Sequence, residues 1–110
     1  MNIRFSDAAV RCRVTRQELQ RLLAGRSIAL EVPLPRNHSF KVSVRPSLLS
    51  GWQLESDPTG IWLSIPRLEL ETLAESLPSK QGLEQKFPTT QGAEVTLSFE
   101  VDLRDDDSVN

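Results

Sequence analysis

The segment VRCRVTRQEL, residues 10–19, sets Arg11, Cys12 and Arg13 side by side, with Arg16 shortly after. Two chemistries suit those residue types. A guanidinium is a planar fork of N–H donors that matches the oxygens of phosphate or carboxylate. A thiol flanked by cations can ionise and act as a nucleophile. Alternation separates the two. Val10, Cys12 and Val14 share one face of an extended segment, and Arg11 and Arg13 share the other. Cys12 is therefore expected in the core, where free cysteines usually sit. The single histidine, His38, falls in a turn, with nothing in the sequence to bring it to the thiol. Nor does any spacing supply His38 with the carboxylates that a zinc site would need.

The arginines belong to a polar face. The other alternating segments add Lys41, Arg45, Glu55, Glu100 and Asp102 to it, with Ser43, Ser64, Thr96 and Ser98 between them. On a flat sheet these are solvated charges, pairing across strands for a few tenths of a kcal/mol each, so roughly neutral overall. On a curled sheet the face becomes concave. Arg11, Arg13, Lys41 and Arg45 are then the expected anion ligands, and Glu100 and Asp102 the expected metal ligands. Trp62 shares this face by parity and offers a ring for stacking on a base or lying over an arginine.

The elements that must position these residues follow from the same periodicity. Ile3 and Phe5 alternate ahead of VRCRV, so residues 2–14 read as one strand interrupted near SDAA, as by a bulge. SIALEVPL, FKVSVR, GWQLES, GIWLSI and EVTLSFEVDLR each alternate apolar and polar positions. PRNHS and SDPTG carry the Pro, Asn, Asp and Gly of tight turns and join their flanking strands as antiparallel hairpins. Two segments have helical spacing. In TRQELQRLLAG, Thr15 and Glu18 form a capping box, Val14 and Leu19 a hydrophobic staple, and Gly25 ends the helix. In PRLELETLAESLP, Pro66 opens the helix, Leu70, Leu73, Ala74 and Leu77 make its apolar stripe, and Pro78 stops it. Residues 78–93 read as a long polar loop and residues 105–110 as a disordered acidic tail. No internal repeat is legible. The expected fold is a single α+β domain over residues 1–104: a mostly antiparallel sheet of about six strands, in the order strand, helix, four strands, helix, strand, with two short helices covering its apolar face.

Composition narrows the function classes. The chain has 110 residues, a formal net charge of −2, one cysteine and no tyrosine. One cysteine makes neither an internal disulfide nor a multi-cysteine metal site. A near-neutral balance with few aromatics argues against nucleic acid as a partner, and no glycine-rich phosphate loop is present. No segment approaches the roughly eighteen apolar residues of a membrane span. The first residues are interspersed with charges and lack the apolar core of a signal peptide. A soluble cytoplasmic domain without cofactor is expected.

Two resemblances bear on this. FEVDLR, with Glu100, Asp102 and Arg104, resembles the E-x-E-x-K strand of triphosphate tunnel enzymes over those three residues. There that motif opens the chain and here it closes it, so no catalytic role is carried over. NIRF…VRCRVTRQELQRLLAG, IWLSIP and LSFEVDLR together resemble a group of small uncharacterised bacterial proteins over most of the chain. That resemblance implies the same fold and a bacterial origin, and no activity. The expected function is non-enzymatic binding of a protein or small anionic ligand. The alternative is a phosphate, polyphosphate or nucleotide site of phosphohydrolase type on the polar face. Self-association through an exposed strand edge is a further expectation.

Overall fold

The computed structural model describes residues 1–79 and 81–104; the expected acidic tail, 105–110, lies outside the described residues. Strand β1 (Asn2–Ser6) turns through Asp7 and Ala8 into β2 (Ala9–Val14), which leads into helix α1 (Arg16–Leu23). Strands β3 (Ile28–Leu34) and β4 (His38–Ser47) form a second hairpin, and β5 (Gln53–Asp57) and β6 (Gly60–Pro66) a third. Helix α2 (Arg67–Ser76) follows, and β7 (Leu83–Pro88) and β8 (Glu94–Val101) form the last hairpin.

The α+β class holds, but the expected single sheet of about six strands does not. Eight strands make two four-stranded sheets, ordered β1-β2-β8-β7 and β3-β4-β6-β5. The outer pairs in each are antiparallel, while the central pairs, β2–β8 and β4–β6, are parallel, so both sheets are mixed. Three features explain the difference. Asp7-Ala8 makes a two-residue turn although it lacks glycine, with Ala8 at φ 58°, so residues 2–14 are a hairpin and not a bulged strand. β7 lies in the stretch read as loop; only Leu83 and Phe87 of it pack on the core, and its strand form comes from pairing with β8. The parallel seams join strands that are not neighbours in the chain, β2 with β8 and β4 with β6, and alternation does not report which strands pair.

The α1 signals stand as read, while in α2 Pro66 is the last residue of β6 and the N-cap, and Leu77 is the C-cap just past the helix. Thr15 Oγ1 accepts from Glu18 N at 3.0 Å, and Glu18 Oε1 accepts from Thr15 N at 2.9 Å. Gly25, at φ 87°, donates its N–H to the Leu22 carbonyl just past the α1 C-terminus. Leu19 and Leu22 of α1 and Leu70 and Leu73 of α2 are buried, and the helices pack on each other. One core joins them to Cys12, Val14, Leu97 and Phe99 of one sheet and Ile28, Val44, Leu63 and Ile65 of the other.

Contrary to the sequence reading, the fold contains an internal repeat. Each half is hairpin, helix, hairpin: β1–β2–α1–β3–β4, then β5–β6–α2–β7–β8. Thr15, Glu18, Leu19 and Leu22 correspond to Pro66, Glu69, Leu70 and Leu73, each 51 positions later. In the second hairpins the step is 55: the pair Ile28–Val44 corresponds to Leu83–Phe99. The halves interlock, since each sheet takes one hairpin from each half. Even single hydrogen bonds recur. Thr96 N donates to the Ala8 carbonyl at 2.9 Å, and Lys41 N to the Thr59 carbonyl at 3.0 Å. The Met1 ammonium donates to Glu18 at 2.8 Å, and Trp52 Nε1 to Glu69 at 2.9 Å.

Two substitutions test the local physics. Ala8→Gly relieves a left-handed conformation that costs an L-residue about 1 kcal/mol and should raise the melting temperature. Thr15→Ala removes the α1 cap and should cost about 1 kcal/mol in denaturant unfolding; Pro66→Ala, at a cap with no side-chain hydrogen bond, should not lose this contribution.

Candidate functional site

Cys12 sits on the inward face of β2, between Ile3 of β1 and Phe99 of β8, and is 2% exposed. Burial pushes its thiol up to about 12, so it stays protonated and packs as a small apolar group. His38 is exposed at the start of β4, in the other sheet. These two residues do not form a nucleophile–base pair.

The outward face of the first sheet gathers charge. Parallel pairing of β2 with β8 sets Arg13 beside Glu100 and Arg11 beside Ser98. Both arginines turn to the same carboxylate. Arg13 donates from Nε and Nη2 to Glu100 Oε1 at 3.0 and 2.8 Å, and Arg11 donates from Nε to Oε2 at 3.1 Å. Partial burial raises the Glu100 pKa, but the hydrogen bonds and charges of Arg13 and Arg11 outweigh it and hold the carboxyl below its ordinary value. Asp102 is occupied by Arg104, which donates from Nε and Nη2 at 3.1 Å each. The two acids expected to hold a metal are thus both engaged by guanidiniums. No group of three or more potential ligands is placed to hold a metal ion among the described residues.

The four expected anion ligands divide between the sheets. Arg11 and Arg13 lie on β2, whereas Lys41 and Arg45 lie on β4. Arg45 donates from Nε to Ser64 Oγ at 2.9 Å across the β4–β6 seam. Arg45 and Ser64 stand at the positions that Glu100 and Arg13 hold across the other seam. The second sheet therefore repeats the cross-seam contact with the charge moved to the opposite strand. Trp62 lies on this face, half-buried, between Ser43 and Glu55 on the neighbouring strands.

Two residues missed in the sequence complete the first cluster. The β1–β2 register puts Arg4 directly opposite Arg11 and Asn2 opposite Arg13. Asn2, Arg4, Arg11 and Arg13 line a cleft of about 20 Å³, enough for about one water-sized group. Reading Asp7-Ala8 as a hairpin turn would have given this register at once. Glu100 pairs with two of the three guanidiniums, Arg11 and Arg13, and no carboxylate among the described residues pairs with Arg4. Elsewhere, an apolar groove of about 450 Å³ runs between the β4–β5 connection and the first turn of α2, with Leu48, Leu49 and Leu68 exposed along it. No helix among the described residues is long and apolar enough to cross a membrane.

The chain belongs to a family of unknown function, DUF7009, whose model covers residues 1–108. No curated protein and no solved structure matches it. The roles of its residues therefore rest on the geometry, and the Glu100 contact makes a pH prediction. A carboxylate held below its ordinary value stabilises the fold above that value, near 4.5, and the contribution is lost as pH falls through the folded-state value. Glu100→Gln should lower the melting temperature at pH 7. It should also flatten the loss of stability between about pH 5 and pH 3, followed by thermal unfolding across that range.

Proposed function

We propose that this domain is a non-enzymatic binding protein whose recognition surface is the outward face of the first sheet. There Asn2, Arg4, Arg11 and Arg13 take one oxygen of a phosphate group, and the rest of a small anionic ligand lies over the mouth of the cleft. One observation carries the reading: Arg4 stands directly opposite Arg11 on paired strands. Like charges so placed destabilise a sheet. Glu100 compensates Arg11 and Arg13, and the cleft keeps one guanidinium more than its carboxylate can hold. An oxyanion seated among Arg4, Arg11 and Asn2 offsets that repulsion and accepts from guanidinium N–H groups that Glu100 does not take. Supporting the non-enzymatic part, the only thiol is buried and protonated. The carboxylates beside the cleft are committed to arginines instead of being left as a base.

The reading separates stability from binding. Arg4→Gln should leave the free protein as stable as the parent or more so, by a few tenths of a kcal/mol, because it removes a like-charge pair. Pyrophosphate or inorganic polyphosphate at one hundred times its dissociation constant should stabilise the parent by about 2.7 kcal/mol, and Arg4→Gln should lose most of that shift. No shift across a panel of phosphate, pyrophosphate, polyphosphate and nucleotides, or an equal shift in both proteins, would sink the proposal.

A further inference from the structure

The repeat has a consequence for partner choice. Within either half, the two hairpins lie in different sheets and never pair with each other. A lone hairpin is marginal in water, so each half acquires its sheets only from the other. The surfaces that join them are the β2–β8 and β4–β6 seams, paired in matching registers, together with the α1–α2 contact. The sole covalent link between the halves is Leu48–Trp52, where Leu48 is 92% and Leu49 57% exposed.

Charge specifies which halves pair. Residues 1–50 hold nine of the thirteen Lys and Arg residues and three of the fifteen Asp and Glu residues; residues 51–110 hold four and twelve. Two first halves repel, as do two second halves, while unlike halves attract. Glu100, from the second half, bridges Arg11 and Arg13 of the first. Repulsion between like partners is how such interfaces exclude wrong pairings. Nothing in the seams distinguishes a second half on the same chain from one on another chain.

We propose that these seams are an interface between two units of opposite charge. The further partner they fit is a second copy of this chain, which exchanges halves about Leu48–Trp52. In the exchanged pair each cleft takes Asn2, Arg4, Arg11 and Arg13 from one copy and Glu100 from the other. The link sets the balance. β4 and β5 flank β6, so the link must cross two strand spacings, about 10 Å. Its five residues reach that far, and closing within one chain is favoured by proximity. A single residue, spanning about 7 Å, does not reach.

The test is deletion of Leu48–Gly51 from the full chain. The expected result is a species of twice the parent mass, with the parent's circular dichroism and a melting temperature that rises with protein concentration. A folded monomer would overturn the proposal. If the shortened chain does not fold, a protease site placed between Ser50 and Gly51 of the full chain decides. After native cleavage the fragments should stay together one to one. After unfolding they should rejoin in that ratio, read by the fluorescence of Trp52 and Trp62, both in the second half. Fragments that part on cleavage, or that each pair with their own kind, overturn it.

Discussion

Everything in this fold hangs on the two parallel seams. Each joins a hairpin from the first half of the chain to a hairpin from the second, and no sheet larger than two strands exists without them. Local sequence builds the hairpins and helices, but their apolar faces are buried only when the seams bring both halves around one core. Phe99, Leu19, Leu22, Ile65 and Leu70, the largest of the fully buried side chains, come from both halves and from both kinds of element. Pairing between distant segments, as at the β2–β8 seam, forms slowly, because chain entropy is lost before the contacts are gained. Here the helices offset part of that cost. Each follows directly on a seam strand, α1 on β2 and α2 on β6, and their mutual packing sets the two seams in place together. The close approach is visible at Gly60, where a Cβ would collide with the Lys41 carbonyl across the β4–β6 seam.

The seam also fixes the electrostatics. In-register parallel pairing delivers Glu100 to Arg13 and, two residues along, lets Arg11 reach it. The ion pairs are partly buried, at 20% exposure for the Glu100 side chain, so they are screened less than surface pairs. Their main effect is on arrangement. One carboxylate holding two guanidiniums turns both toward β8 and leaves Arg4, on the far side of β2, without a share in it.

Much of this was legible in the chain, and what was hidden had physical reasons. Parity placed Cys12, Val14, Val44, Leu63, Leu97 and Phe99 inward and Arg11, Arg13, Lys41, Arg45, Glu55 and Glu100 outward, because half-buried strands must alternate. Thr15, Glu18 and Gly25 announced α1 through its ends, where backbone groups need partners. Parity says nothing about which strand lies beside which, so the mixed sheets and the division of Arg11 and Arg13 from Lys41 and Arg45 were invisible. The turn at Asp7-Ala8 was hidden by its missing glycine, and with it the opposition of Arg4 to Arg11. β7 was hidden because two apolar residues in six do not make a pattern. The repeat was hidden because its identities fall mainly in the helices, at Arg16 and Arg67, Glu18 and Glu69, Leu19 and Leu70, and Leu22 and Leu73.

That distribution of likeness and difference is itself informative. Positions facing the shared core keep their apolar character across the halves: Ile3 with Leu54, Val10 with Ile61, Cys12 with Leu63, Val14 with Ile65. A close-packed interior admits little else. Positions on the outward face carry no such demand and differ in kind: Arg4 with Glu55, Arg11 with Trp62, Arg13 with Ser64, Glu100 with Arg45. The same scaffold thus presents two unlike surfaces. One is a cluster of guanidiniums around a single acid; the other is a lone guanidinium bound to a hydroxyl, beside an indole and a carboxylate. A purely structural role for the first surface would be met by balanced cross-strand pairs, as solvated sheets commonly have. The surplus of positive charge around Arg4 goes beyond what pairing across the strands requires, and it is confined to one of two faces that the fold treats alike. The folding requirements are common to both faces, so the fold alone does not account for the difference between them.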